Sequence, residues 1–221
     1  MSTQEPAITF ERTAALRREI AEVGAGLTSE QLSHPSLCGG WTVRDVLGHL
    51  VVPLTISLPR FGWAMVGARG NFDVANDRLA RDTARQLGGE VTKVLRERAS
   101  RRFVPPGGTP AFQLADVLVH SQDIRRPLGL THAYAVEDLR EVLGLLTSPL
   151  GKRGFVPSSR LTGLHLVATD TDTGQGQFTA GDGALVEGPA EAVILALTGR
   201  RVALEELTGP GVGILADRLP R

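Results

Sequence analysis

The sequence predicts an α+β chain, with a helical portion over residues 1–150 and a small α/β module over residues 151–221. Three observations carry this prediction. Apolar residues recur at helical spacing in successive stretches up to residue 147. A basic Gly- and Pro-containing stretch, SPLGKRG at 148–154, then interrupts the pattern. Beyond it come short β-branched and apolar runs separated by Gly- and Asp-rich turns.

The elements follow in order. Residues 7–26 place Phe10, Ala14, Leu16, Ile20 and Val23 at helical spacing with charges between them, which is the pattern of a scaffold helix. Thr28 caps a short turn of helix, and His34-Pro35 follows in a loop. Cys38-Gly39-Gly40-Trp41 is a tight turn feeding a second helix, with Thr42 as N-cap and Asp45 at the third helical position. Pro53 and Pro59 are expected to kink or end that helix. Residues 76–99 form a third helix, capped at Asn76-Asp77 and weakened at Gly88-Gly89. After a loop at 104–108, Thr109-Pro110 opens a fourth helix through Gly129. A further helix covers 136–147. The second module holds strands near 161–169, 174–178 and 184–187, a helix from Pro189 to Leu197 and a last helix near 202–207. His165, in the first strand, is expected to be structural.

The fourth helix carries the chemistry. Gln113, Asp116, His120 and Asp123 fall three, four and three residues apart and form one polar stripe. Val117 and Ile124 flank it on one side, Phe112 and Val119 on the other. Ser121, Gln122, Arg125 and Arg126 place the solvent face elsewhere. A polar stripe between apolar flanks suits an inward-facing site in a helix bundle, and buried groups of this kind need partners or a metal. His49, mid-helix among apolar residues, supplies a third ligand type. Zinc catalysis commonly uses three His and carboxylate ligands and keeps a fourth position open, so His49, Asp116 and His120 are the expected ligands of one divalent ion. Zinc is preferred, although nickel and iron accept the same donors. Asp45, one turn before His49, is the expected acceptor for its other ring N–H. Gln113 and Asp123 are assigned supporting or substrate-orienting roles. Cys38, beside a helix start, is read chiefly as a small buried hydrophobe.

These stretches also carry a resemblance. GGWTVRDVLGHL and ADVLVHSQDIRRPLG resemble the signature segments of DinB-like metal-binding bundles, and more closely those of the mycothiol-dependent maleylpyruvate isomerase group. LHLVATD, EGPAEAVILALTGR and LEELTG resemble that group's small sterol-carrier-like C-terminal domain. The resemblance covers nearly the whole chain. It implies a DinB-like four-helix bundle, mycothiol as thiol cosubstrate, and isomerase or S-transferase chemistry on a small electrophile. The His, Glu and His ligands of the isomerase type fall on His49, Asp116 and His120, with Asp one methylene shorter than Glu at the middle position. The group's C-terminal catalytic arginine falls on Arg200 in LTGRR, which read alone is an exposed helix end.

Composition excludes other classes. Lys and Arg number 24 against 24 Asp and Glu, so the formal net charge is zero and offers no footprint for nucleic acid or an anionic membrane. Aromatic content of 5% gives no base-stacking platform. One cysteine precludes an internal disulfide framework and suits a reducing cytoplasm. The N-terminal run lacks an apolar core, so no signal peptide is expected, and no stretch approaches the roughly 20 apolar residues of a membrane span. The competing expectation is a non-catalytic protein of the same fold, binding a metal or an apolar ligand.

Overall fold

The structure, a computed structural model, describes residues 4–104, 107–174 and 176–220. Pro105 and Pro106 of the expected loop and Gln175 of the second expected strand lie outside the described residues. The chain divides into two compact units, Met1–His132 and Ala133–Arg221. The stretch at 148–154, expected to mark the boundary, lies inside the second unit, because the helix before it packs against elements that follow it.

The first unit is built from α1 (Gln4–Gly26), α2 (Ser29–Ser33), α3 (Val43–Thr55), α4 (Leu58–Gly67), α5 (Phe72–Leu87), α6 (Val91–Glu97) and α7 (Pro110–Arg125). Helices α5 and α6 are joined by a 3-10 turn at Gly88–Glu90, the weak point the glycines foretold. Counted as one interrupted helix, they make with α1, α3 and α7 a four-helix arrangement in which α3 packs on α5, α6 and α7, and α1 packs on α6 and α7. Ile20, Leu47, Leu50, Leu54, Leu95 and Ile124 are among the residues of its core. Gly48 sets the closest approach. A Cβ there would stand 2.5 Å from the Ala80 carbonyl oxygen and 2.8 Å from the Ala84 Cβ, so only glycine lets α3 meet α5 at this depth.

Three local expectations are corrected here. Pro59 does not end a helix but opens α4 at its second position, behind a Ser57 cap. The cap of α5 is Asn71, five residues before the expected cap at Asn76, which leaves Asn76 and Asp77 inside the helix. Helix α7 has no solvent face of the kind its polar residues suggested: Ser121, Gln122 and Arg125 are all buried.

The second unit holds α8 (Val136–Thr147), two short helical turns, α9 (Gly151–Gly154) and α10 (Ser158–Leu161), strands β1 (Leu164–Ala168), β2 (Phe178–Ala180) and β3 (Ala184–Gly188), then α11 (Ala190–Leu197) and α12 (Gly211–Asp217). The residues from 202 expected as an α-helix form a 3-10 helix, Arg201–Glu206. The sheet order is β2-β1-β3, with β1 antiparallel to β2 and parallel to β3. Leu164, Leu166 and Ala168 point alternately to the buried face, which packs on α11. The link from β2 to β3 passes over the start of β1, where Gly181 has φ +81° and a Cβ would strike the Leu164 carbonyl. His165 Nδ1 donates to the Gly181 carbonyl at 2.7 Å and ties that link down. Among the described residues, no helix is long and apolar enough to cross a membrane.

Candidate metal centre

Two helices carry the ligand-type side chains and a third orients one of them. Thr42 starts α3 through a reciprocal capping box: the Thr42 hydroxyl accepts from Asp45 N–H, and Asp45 accepts from Thr42 N–H at 2.9 Å. This fixes the phase of α3 so that His49, two turns on, faces α5 and α7. It also spends the Asp45 carboxylate, which does not orient His49 as expected from its place one turn upstream. The acceptor is Asn76 on α5, whose Oδ1 takes the His49 Nδ1–H at 3.1 Å.

His49 Nε2 then stands 3.1 Å from Asp116 Oδ1, and His120 Nε2 stands 3.7 Å from the same oxygen. His120 Nδ1 donates to Asp123 Oδ2 at 2.8 Å, and Asp123 is fully buried. Each imidazole is therefore held through Nδ1 and presents Nε2 to a shared carboxylate. That is the arrangement in which a second partner fixes the tautomer and ring plane of a metal-ligating histidine. One ligand atom from each of His49, Asp116 and His120 lies within 4.8 Å of the others. Two donors each about 2.1 Å from a tetrahedral zinc ion stand about 3.4 Å apart, and the 3.1 and 3.7 Å separations bracket that value. Donor chemistry and spacing both fit a divalent ion. One donor atom from each of Cys38, His120 and Asp123 also lies within 4.8 Å of the others, with Cys38 half-buried at the edge of the core.

The charges explain why the cluster persists in the interior. Burial works against an ionised Asp116, but the facing His49, then His120 and Arg17, outweigh it and bring its pKa down to about 2. Burial also opposes protonation of His49, yet the charge and hydrogen bond of Asp116 prevail and raise its pKa. His120 moves the other way: burial and the neighbouring His49 lower it, against the pull of Asp123. The two histidines thus shift in opposite directions, His49 toward the protonated form beside Asp116 and His120 toward the neutral form.

Three contributors were not expected from sequence. Trp41 packs against both rings, tilted against His49 with centroids 5.2 Å apart and stacked on His120 with centroids 6.0 Å apart. Its Nε1–H donates to Asp77 Oδ1 at 2.7 Å, which pins the indole. Arg17 on α1 is buried and binds Gln113, so Gln113 is turned to α1 as an acceptor. Of these, only Trp41 left a signal, the aromatic beside a helix cap; Asn76 and Arg17 come from helices whose sequence patterns look like ordinary scaffold. Arg200 belongs to the second unit, where its Nη1 donates to the Thr198 carbonyl at 2.7 Å.

The model of the mycothiol maleylpyruvate isomerase N-terminal domain matches residues 13–125, just over half of the chain. No curated protein matches the sequence. A crystal structure of a histidine-to-alanine mutant of the mycothiol-dependent maleylpyruvate isomerase superposes with a TM-score of 0.54 at 13% identity, covering 95% of this chain and 93% of that one. A second structure of the mycothiol-dependent maleylpyruvate isomerase gives a TM-score of 0.45 at 15% identity, with the same coverage. The first of these supports the fold alone.

Proposed function

The chain belongs to the mycothiol maleylpyruvate isomerase N-terminal domain family, and from that premise we propose that it is a divalent-metal enzyme that uses mycothiol in isomerisation or S-transfer on a small electrophile. The observation that carries this reading is the pair of imidazole Nε2 atoms facing one buried carboxylate while both Nδ1 atoms are engaged elsewhere. His49, Asp116 and His120 would hold the ion, with zinc preferred, and leave a position open for a thiol. Bound there, the ion supplies Lewis-acid chemistry that keeps a thiol deprotonated at neutral pH. Asn76 and Asp123 keep the imidazole planes aimed at that position, and Trp41 keeps water off their faces. The resemblance alone makes Arg200 the candidate cation for an anionic group of the substrate. A small-molecule substrate and a thiol are the partners, in a cytoplasmic setting that suits a lone cysteine.

The competing reading, a carrier of an apolar ligand, has less support. The second unit holds a cavity of about 240 Å³ lined in part by Thr147, Lys152, Ser158, Thr162 and Asp182. This is smaller than most ligand pockets, and polar side chains, Lys152 and Asp182 among them, share its lining with Leu161, Leu164, Leu166 and Ala180. The test is a panel of small electrophiles assayed on zinc-loaded protein with and without mycothiol. Thiol-dependent turnover of at least one is expected. Turnover of none across the panel sinks the enzymatic reading.

A further inference from the structure

Arg17 stands behind the candidate metal centre in an unusual state. It is 2% exposed, in the middle of α1. Its Nη1 donates to the Ala99 and Arg101 carbonyls, each at 3.1 Å, and its Nη2 donates to Gln113 Oε1 at 2.5 Å. All three acceptors are neutral. A buried guanidinium is ordinarily paired with a carboxylate, because taking a charge out of water without one is costly. Arg125, buried on α7, follows that rule and pairs with Glu19. Burial brings the Arg17 pKa down to about 10, with Asp116 opposing the fall across space, and at that value Arg17 keeps its charge at neutral pH.

The charge acquires a purpose when the centre is counted as a whole. With both imidazoles neutral, a divalent ion is balanced by the carboxylates of Asp116 and Asp123. Arg17, held one turn before Asp116 through Gln113, is the charge left over. We propose that Arg17 is a specificity-determining residue that leaves the loaded centre with one net positive charge, so that its open position takes a thiolate in preference to neutral water. The thiol proton leaves to solvent as the sulfur binds. Arg17 touches neither ion nor thiol; it acts through the field at the centre. Gln113 fixes the guanidinium without cancelling it, which a glutamate in the same place would do. This inference rests on the thiol-dependent reading above.

The test uses the full chain loaded with Co²⁺ and titrated at pH 7 with 2-mercaptoethanol, read by the thiolate-to-cobalt charge-transfer absorbance. Gln113→Glu keeps the acceptor for Arg17 but neutralises its charge, and Arg17→Gln removes the charge outright. Each is expected to weaken thiol binding about tenfold while Co²⁺ affinity holds or rises, since a nearby cation has been lost. Arg17→Lys, which keeps the charge, is expected to retain thiol affinity. Gln113→Glu tests the proposal even where Arg17→Gln does not fold. Unchanged thiol affinity in Gln113→Glu overturns the inference. So does parallel loss of thiol and Co²⁺ affinity, because that is the signature of a brace for the ligands. If the wild-type protein takes up Co²⁺ but shows no thiolate band, the thiol-dependent reading itself fails and the inference goes with it.

Discussion

Replacing Asp123 with alanine removes an oxygen that touches no proposed open position, yet zinc affinity is expected to fall by about 10- to 100-fold. The reason lies in His120. Its Nδ1–H is held 2.8 Å from a carboxylate with no solvent exposure, and that bond fixes both the tautomer and the direction of Nε2. Without it the ring is free to turn or to carry its proton on Nε2, and the ion must pay for reordering it. The loss corresponds to about 1.4–2.8 kcal/mol. Asn76→Ala removes the matching acceptor from His49, but that acceptor is neutral and sits at 3.1 Å. Charge-assisted hydrogen bonds are roughly twice as strong as neutral ones, so Asp123→Ala is expected to exceed Asn76→Ala. Competition against a chelator of known zinc affinity measures both, with circular dichroism to establish folding. Unchanged zinc affinity in folded Asp123→Ala, or a larger loss from Asn76→Ala, refutes the orientation argument.

Two further predictions concern the bundle and its charges. Gly48→Ala forces a methyl group against the Ala80 carbonyl and the Ala84 Cβ; overpacking of this kind costs about 1–3 kcal/mol, and a chemical denaturation curve that matches wild type contradicts the close approach of α3 and α5. In chelator-treated protein the His49–Asp116 pair makes stability depend on pH. The raised His49 contributes fully below its ordinary 6.5 and loses its contribution as pH climbs through the folded-state value. The depressed Asp116 contributes above its ordinary 3.8 and loses its contribution as pH falls through about 2. Asp116→Asn is therefore expected to destabilise most between about pH 4 and 6.5 and less at pH 8. A penalty that grows toward pH 8, read from denaturation midpoints, excludes the pairing.

The site was legible where its logic is local. Asp116 and His120 share a face because they are four residues apart, and the Thr42–Asp45 box announces the start of α3. His49 was legible as a ligand type out of place on an apolar helix. What stayed hidden depends on contacts across the bundle. Nothing near Arg17 or Asn76 in the chain distinguishes them from scaffold residues, because the partners of Arg17 lie 82 to 96 residues away and that of Asn76 lies 27 away. Asp45 misled for the opposite reason: its local role as a cap consumed the oxygen expected to reach His49. Helix α4 was missed because Pro59 reads as a stop when Ser57 is not recognised as a cap one position before the helix. The polar residues of α7 suggested a solvent face, but α7 is packed by α1 and α3 and its arginine is neutralised inside the bundle by Glu19. The small strands were legible as a group, and the β2-β1-β3 order was not, since it depends on glycines letting a short link cross over β1.

The most direct test is the metal content of the purified protein, measured by inductively coupled plasma mass spectrometry beside a His49→Ala, Asp116→Ala, His120→Ala triple variant that has been shown to fold. One equivalent of a divalent transition metal, with zinc foremost, is expected in the wild type and none in the variant. Metal-free wild-type protein that does not take up zinc on titration, or equal metal in the two proteins, contradicts the assignment of these three side chains as ligands.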